Sequence, residues 1–414
     1  MPTKTKPIVS PSSDVWGNKL NQHLEQLMPD DGGGINKFDK FSDRPNNLTA
    51  DDKGKTYLYT QTGNFHQWTG TEWKVLNESV INVKDYGAVG DGVTDDTAAL
   101  QGAVTGKNQK TILFPSGIYK VTSTVTIVGT LRLLGEGQEI THIQNHANIL
   151  FDIDGYGFVI DGISFENKKA TSVINNITFP IGLKLTGRIF TLRNISFSGV
   201  WAQCIQLTNV FDSRFENINI LNDLVNNDVA NKTGIGFNIY YSVNNTITNS
   251  YLGHADTLIK LDPAYSPGNY RCEGLIITNT ILISAKTCIF ADGITHISVS
   301  DCVFDFVYTS AIVLTNVGFS ASISNNWFAG STSTFTAISL SDKFSSSSIV
   351  GNQILSTSPG ATAFIVNGKY NFVSGNRIKD INSGTIYGGN SKFVYNILEN
   401  AADFTNSGTD NVFI

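Results

Sequence analysis

The chain has 414 residues, a formal net charge of −6 and a pI near 5.5. Only 15% of the residues are charged, against roughly 25% in ordinary soluble domains, while Asn, Ser, Thr, Gly and Ile are abundant. No basic block favours a nucleic-acid or anionic-membrane partner, no apolar run reaches the ~18 residues of a membrane span, and the profile suits many short strands joined by polar turns.

Residues 1–31 read as a tether. Met1 to Asp14 is polar and Pro-rich, without the apolar core of a signal peptide. Synthesis in a cytoplasm is therefore expected, with exit by another route such as a virus particle. Leu20, Leu24 and Leu27 share one helical face, capped by Ser13 or Asp14. So short a helix needs a partner or an oligomer.

Residues 32–78 read as a small aromatic β module after the break Gly32-Gly33-Gly34. Tyr57 to Thr60, Phe65 to Trp68 and Glu72 to Val75 are expected strands. Thr62-Gly63-Asn64 and Thr69-Gly70-Thr71 supply the turns. Such a meander is too small to be robust alone.

Residues 79–130 are expected to hold a capping helix and the first coils of a solenoid. Ile81 to Thr97 leads into Ala98-Ala99-Leu100-Gln101, and Asp95 or Thr94 can cap that short helix. From there to about residue 400, β-branched runs recur beside Asn or Asp: Asn194, Asn217, Asn249, Asn279, Asp301, Asn325, Asn352 and Asn376. The steps are 23, 32, 30, 22, 24, 27 and 24 residues. A floor in the low twenties with occasional longer steps predicts an all-β, right-handed, single-stranded parallel β-helix of about three strands per coil. Each coil buries its apolar face only by stacking on the next. Asn tolerates the left-handed conformation at a turn, so these residues read as an internal amide ladder. Residues 401–414 read as the end of the stack, without a large separate domain. Cys204, Cys272, Cys288 and Cys302 have no CxxC or zinc spacing and sit in apolar runs, so buried free thiols are expected.

The stretch Asn82 to Thr97, with Phe114-Pro115-Ser116-Gly117-Ile118-Tyr119 and Gly135-Glu136-Gly137, closely resembles the pectate-lyase-like superfamily of β-helix proteins. With the repeats, the likeness covers residues 80–400. Trp16 to Asn21 and the aromatic module are similar, less closely, to particle-proximal segments of bacteriophage or prophage tail spikes. That resemblance implies a homotrimer attached to the phage baseplate or tail through its N-terminal segment. It further implies location in the virion tail and binding, often depolymerisation, of bacterial capsule or O-antigen polysaccharide.

Hydrolysis of a polysaccharide needs two carboxylates, one protonating the leaving oxygen and one acting as base or nucleophile. Asp95-Asp96 is set aside as a fold signature at the capping helix. The stretch 250–310 is preferred, because the inserted segment Asp262 to Arg271 opens there and solenoid insertions build clefts. Glu273, directly after the insertion, and Asp305 are the expected acid/base pair, with Asp256 or Asp301 in reserve. Tyr265, Tyr270 and Tyr308 are expected sugar platforms, with Arg271, His254 and Trp201 as further substrate contacts. Tyr240 and Tyr241 could also serve a groove. Asp212, Arg214 and Glu216, beside Trp201, alternate with Phe211 and Phe215 and read as a solvated charge ladder.

The motif set of polygalacturonases is incomplete: Gly253-His254-Ala255 lacks its second Gly, and Arg377-Ile378-Lys379 lies several coils further on. No Asp cluster beside an Arg suggests the calcium site of pectate lyases. No metal or cofactor is therefore expected. The leading reading is a tail-spike glycan depolymerase, hydrolase before lyase, and the runner-up is a non-catalytic receptor-binding spike.

Overall fold

The computed structural model describes residues 36–76, 80–169, 180–222, 234–262, 272–316, 318–400 and 403–413, apart from 357, 359, 382, 387 and 407. The expected tether helix with Leu20, Leu24 and Leu27 lies outside them.

A single coil shows how the sequence builds the fold. In residues 296–315, Ile297, Val299, Phe304, Val307, Ile312 and Leu314 point inward and are no more than 3% exposed. Alternation puts His296, Ser298, Val303 and Val313 outside. Each inward side chain is worth roughly 1.5–3 kcal/mol once covered, and only the neighbouring coils cover it. The coil holds three strands, His296–Ser300, Val303–Val307 and Ser310–Thr315. They belong to three stacked sheets, here called one, two and three. All stacked neighbours pair in parallel, and sheet three alone has 12 strands, from Val125–Gly129 to Asp403–Asn406. The result is a right-handed parallel β-helix of about 14 turns, the hand that parallel crossovers take. One continuous core runs from Ile81 to Phe393. Stacking continues beyond residue 400, where Ser383 pairs with Asp403 and Lys392 with Val412.

The Asn repeat resolves into two ladders rather than one. Asn194, Asn217, Asn249, Asn279, Asp301 and Asn325 hold the left-handed turn between sheets one and two, with φ of 48° to 56°. Their side chains point outward, and Asn217 donates to Asn194 at 2.8 Å. The internal ladder uses the next residue: Asn326, Asn352, Asn376 and Asn396 are joined amide to amide at 2.9–3.0 Å. Asn352 and Asn376 therefore belong to the inner ladder, because Gly351 and Gly375 (φ 70° and 65°) hold the left-handed position in their coils. The step from Asn326 to Asn352 is 26 residues.

Helix α1, Thr97–Val104, closes the first coils with Leu100, Ala103 and Val104 buried. Its N-cap position is Asp96, not Asp95 or Thr94. The Asp96 carboxylate turns away to accept the N–H groups of Val89 and Gly90 at 2.6 and 3.1 Å. Burial holds this carboxyl above its usual range against those two hydrogen bonds. Asp95 instead accepts the N–H and hydroxyl of Thr97. Both acids hold the loop and helix together.

Lys37–Phe38, Thr56–Tyr59, Asn64–Trp68 and Trp73–Val75 form a four-stranded sheet. The buried Asp85, in the short 3₁₀ turn that opens the β-helix, locks this module in place. It accepts from the Thr62 hydroxyl and the Asn64 amide and meets His66 Nε2 at 3.2 Å. Phe41 packs over Gly87, where a Cβ would lie 2.9 Å from the ring.

All four cysteines are free and buried. Burial raises their thiol pKa values, that of Cys302 to about 12.

Candidate functional site

The longest connections single out sheet three. They join Asn167 to Ile181, Leu221 to Ile235 and Leu261 to Leu275. The first two lead into sheet three and the third leads out of it, so all three open on its edges. Connections held on a rigid scaffold are where binding residues concentrate.

The outer face of sheet three, between those edges, is polar and charged. The pattern is a pair of buried apolar residues with outward positions between and after them. Strand register stacks Asp152, Lys184, Gln206, Asn238, Lys260 and Phe290 in one row. The second row begins with Asp154, Thr186, Thr208 and Tyr240. It continues through Asp262, whose N–H bonds to Ile239 O at 3.1 Å. Leu261 pairs with Ala291, so Asp262 and Asp292 follow at the same strand position in neighbouring coils. Stacked strands lie about 4.8 Å apart, so the backbones of these two residues are neighbours across coils.

The floor is held by its own contacts. Lys184 pairs with Asp152 and Lys260 with Asp262, both at 2.9 Å. Asn238 is 2% exposed and donates to the Tyr240 hydroxyl at 2.6 Å. Its Oδ1, and Gln203 Oε1 at the edge of the same sheet, have no hydrogen-bond partner among the described residues. Asp292 accepts from Thr315 and Asn316.

The residues expected from the sequence divide between two corners of the coil. Glu273 stands where sheet three passes to sheet one, about half-exposed, 3.9 Å from His296. Beside it, Ile276, His296, Ser298, Ser322 and Ser348 line a shallow cavity of about 580 Å³ on sheet one. Asp256, His254, Asp305 and Tyr308 gather at the opposite corner, between sheets two and three. There Ile283 pairs with Asp305 and Asp256 bonds Lys286 at 2.9 Å. His254 has φ 61°, the left-handed position of that corner.

The structure does not bring Glu273 and Asp305 together. A strand of five residues, such as Thr257–Leu261 of sheet three, stands between their corners. That is about 16 Å of chain, beyond the ~5–10 Å that a hydrolytic pair spans. Trp201 is fully buried and is corrected to a core residue. It packs edge-on against Phe197, and its Nε1 donates to Ser198 O at 2.9 Å. Tyr265, Tyr270 and Arg271 lie outside the described residues. Asp301 holds an outward turn. Asp212, Arg214 and Glu216 are all exposed on sheet one, with Asp212 and Glu216 accepting from Asn244 and Asn249. Arg377 pairs with Glu399 on sheet two at 2.8 Å. Among the described residues, no group of three or more His, Cys, Asp or Glu side chains is gathered to hold a metal ion, and no helix is long and apolar enough to cross a membrane.

The rhamnogalacturonase A/epimerase, pectate lyase-like family matches residues 80–311, more than half of the chain. The chain belongs to this family. A glucan 1,3-β-glucosidase of Cochliobolus carbonum is 40% identical over 79 residues, 18% of this chain and 10% of that protein. The plasmin and fibronectin-binding protein A of Streptococcus pneumoniae is 25% identical over 186 residues, 44% of this chain and 22% of that protein. The matched stretches thus span only a tenth to about a fifth of these curated relatives. The crystal structure of a DFA-IIIase from Arthrobacter chlorophenolicus without its lid superposes with a TM-score of 0.54 at 13% identity, over 80% of this chain and 99% of that one. At that identity the likeness is one of fold.

Proposed function

We propose that this family member is a bacteriophage tail spike that binds and depolymerises a bacterial capsular or O-antigen polysaccharide. The reaction is glycosidic hydrolysis in a groove floored by sheet three. Asp262 and Asp292 are the acid/base pair, and Tyr240, Lys184 and Lys260 hold the chain of sugars. The observation that carries this reading is the adjacency of Asp262 and Asp292 on a floor otherwise built of sugar-binding groups. Two carboxyls about 5–10 Å apart can protonate the leaving oxygen and activate a water or attack directly. The family name and the name of the glucan glucosidase relative support a carbohydrate substrate. Glu273 at the groove's edge and Asp256 across it serve as substrate contacts, and the protein works as a homotrimer attached through its N-terminal segment.

A non-catalytic adhesin is the second reading. Asp152 and Asp262 are already paired with lysines, which suits a surface built to bind, and one relative is named for binding. The test is to digest capsules and O-antigens from a bacterial panel with the purified protein, following reducing ends and absorbance near ~235 nm. New reducing ends without absorbance support hydrolysis. Reducing ends with absorbance mean β-elimination and remove the two-carboxylate role. Binding with neither signal supports the adhesin.

A further inference from the structure

A concave site lies on the opposite side of the coil from sheet three. It is a cavity of about 480 Å³ at the turn between sheets one and two, lined among others by Gln138, Asn219, Asn249, Tyr251, Asn279 and Ile281. The turn residues Asn217, Asn249 and Asn279 are all left-handed, which aims their amides outward in successive coils. Asn279 is bonded to Asn249, and Asn249 to Glu216 at 3.4 Å, so these amides are held in line. Sheet two places Asn219, Tyr251, Ile281 and Val303 at one outward position of four consecutive coils. That row gives one amide followed by an aromatic and aliphatic wall.

Two features mark this cavity as a binding site. Gln138 Oε1 and Asn219 Oδ1 are both buried and both lack a hydrogen-bond partner among the described residues. Buried polar oxygens are otherwise almost always satisfied, so two lining one cavity call for a ligand that donates twice. Gln138 comes from the turn Glu136 to Ile140, which is longer than the Asn-Ser and Asn-Thr turns of later coils, so a distant coil supplies part of the wall. Among the described residues, no lysine or arginine lines the cavity, while Asp301 does. An anionic ligand would therefore meet a carboxylate without a compensating cation.

We infer that this cavity is a separate binding site for an uncharged sugar unit. Its hydroxyl or acetamido N–H groups donate to Gln138 and Asn219, and its less polar face lies on Tyr251 and Ile281. The site rests on the reading that the chain handles a glycan, but it is independent of catalysis on sheet three. It would hold the polymer at a second point and raise the effective concentration at the groove.

The test is calorimetric titration of the full chain with three probes: chitotetraose, maltotetraose and tetragalacturonate. A neutral probe is expected to bind, and Asn219→Leu or Tyr251→Ala to weaken it by about tenfold or more, the factor that one lost buried partner carries. Gln138→Ala, in an exposed turn, tests the same site with little risk to folding, and unchanged thermal unfolding identifies variants that fold. Asp292→Asn should leave this binding intact. Equal binding of tetragalacturonate, indifference to all three pocket variants, or no binding of either neutral probe at about 10 mM each overturns the inference. Failure of these probes alongside successful digestion of a capsule would refute the cavity and spare the groove; pocket binding without digestion would do the reverse.

Discussion

Asn326 and Asn352 stack in successive coils, with Asn326 Nδ2 donating to Asn352 Oδ1 at 3.0 Å and the Asn326 backbone N–H reaching the same oxygen at 2.9 Å. Asn352 in turn donates to Ile323 O at 3.0 Å. It also donates to Asn376 Oδ1 at 2.9 Å, so its side chain satisfies groups of two coils at once, in a fully buried place. Replacing it by Leu strands at least one donor and one acceptor, so Asn352→Leu should cost about 2–4 kcal/mol. Asn325, one residue before Asn326, has φ 56° and is exposed. Asn325→Gly should stay within about 1 kcal/mol of the wild type, since Gly351 fills that slot in the next coil. Chemical unfolding of both variants checks the pair of values, and similar losses would contradict the assignment of inner and outer ladders.

Asp52 predicts a pH dependence of the N-terminal module. It closes a capping box with Thr49, accepting the Thr49 N–H at 2.7 Å. That hydrogen bond, with further help from Lys55 and the Thr49 hydroxyl, lowers its pKa to about 2. A folded pKa below the unfolded value means that the cap contributes fully above about pH 4. The contribution is lost as pH falls through 2. Carboxyl NMR should find Asp52 titrating near that value, and Thr49→Val should move the midpoint upward. An Asp52 midpoint near that of a free aspartate would refute the capping box.

Asp85 predicts how the module is tied to the β-helix. Its carboxylate is the common partner of Thr62, Asn64 and the fully buried His66. Asp85→Ala removes three interactions from one side of the junction and leaves His66 Nε2 without the Asp85 carboxylate. Hydrogen exchange should then speed up by about tenfold or more in Thr56–Tyr59 and Asn64–Trp68, with sheet three unchanged, because local opening is independent of distant coils. Faster exchange throughout both regions would mean that Asp85 supports the whole stack.

The β-helix was legible in the sequence because its signal is repetition. The recurrence near Asn194, Asn217 and Asn249 reports a turn that every coil must make. The division into two ladders was not legible, since Asn325-Asn326 and Gly351-Asn352 align equally well on either Asn until register is known. Trp201 looked like a groove residue beside Asp212 and Arg214, yet the sheet three corner turns it inward. Glu273 and Asp305 are 32 residues apart, while the coil there is 22 residues long, as the pairing of Cys272 with Ile294 shows, and sequence distance alone does not show which corner each one occupies. The floor of sheet three did leave a signal: the runs Leu-Lys184-Leu-Thr186, Ile-Gln206-Leu-Thr208, Phe-Asn238-Ile-Tyr240 and Ile-Lys260-Leu-Asp262 share one alternation. That alternation belongs to the third strand of each coil, not to the Asn turn.

The strongest test of the groove sets Asp262 and Asp292 against the residues that sequence alone favoured. Asp262→Asn breaks a partly exposed ion pair with Lys260, worth about 0–1 kcal/mol, and Asp292→Asn is nearly isosteric, so both variants should fold. If these carboxyls are the acid and base, each change should lower turnover on the cognate polysaccharide by at least about 100-fold. The double variant should be little worse than the poorer single one, since the two act as a unit. Glu273→Gln and Asp305→Asn should lose less than about tenfold, as each lies at a different edge of the coil and neither can complete a pair with the other. Reducing-end assays with each variant distinguish the outcomes. Full activity in both Asp262→Asn and Asp292→Asn would remove the chemistry from this floor and leave it as a binding surface. Loss confined to Glu273→Gln would move the reacting bond to the corner where sheet three passes to sheet one.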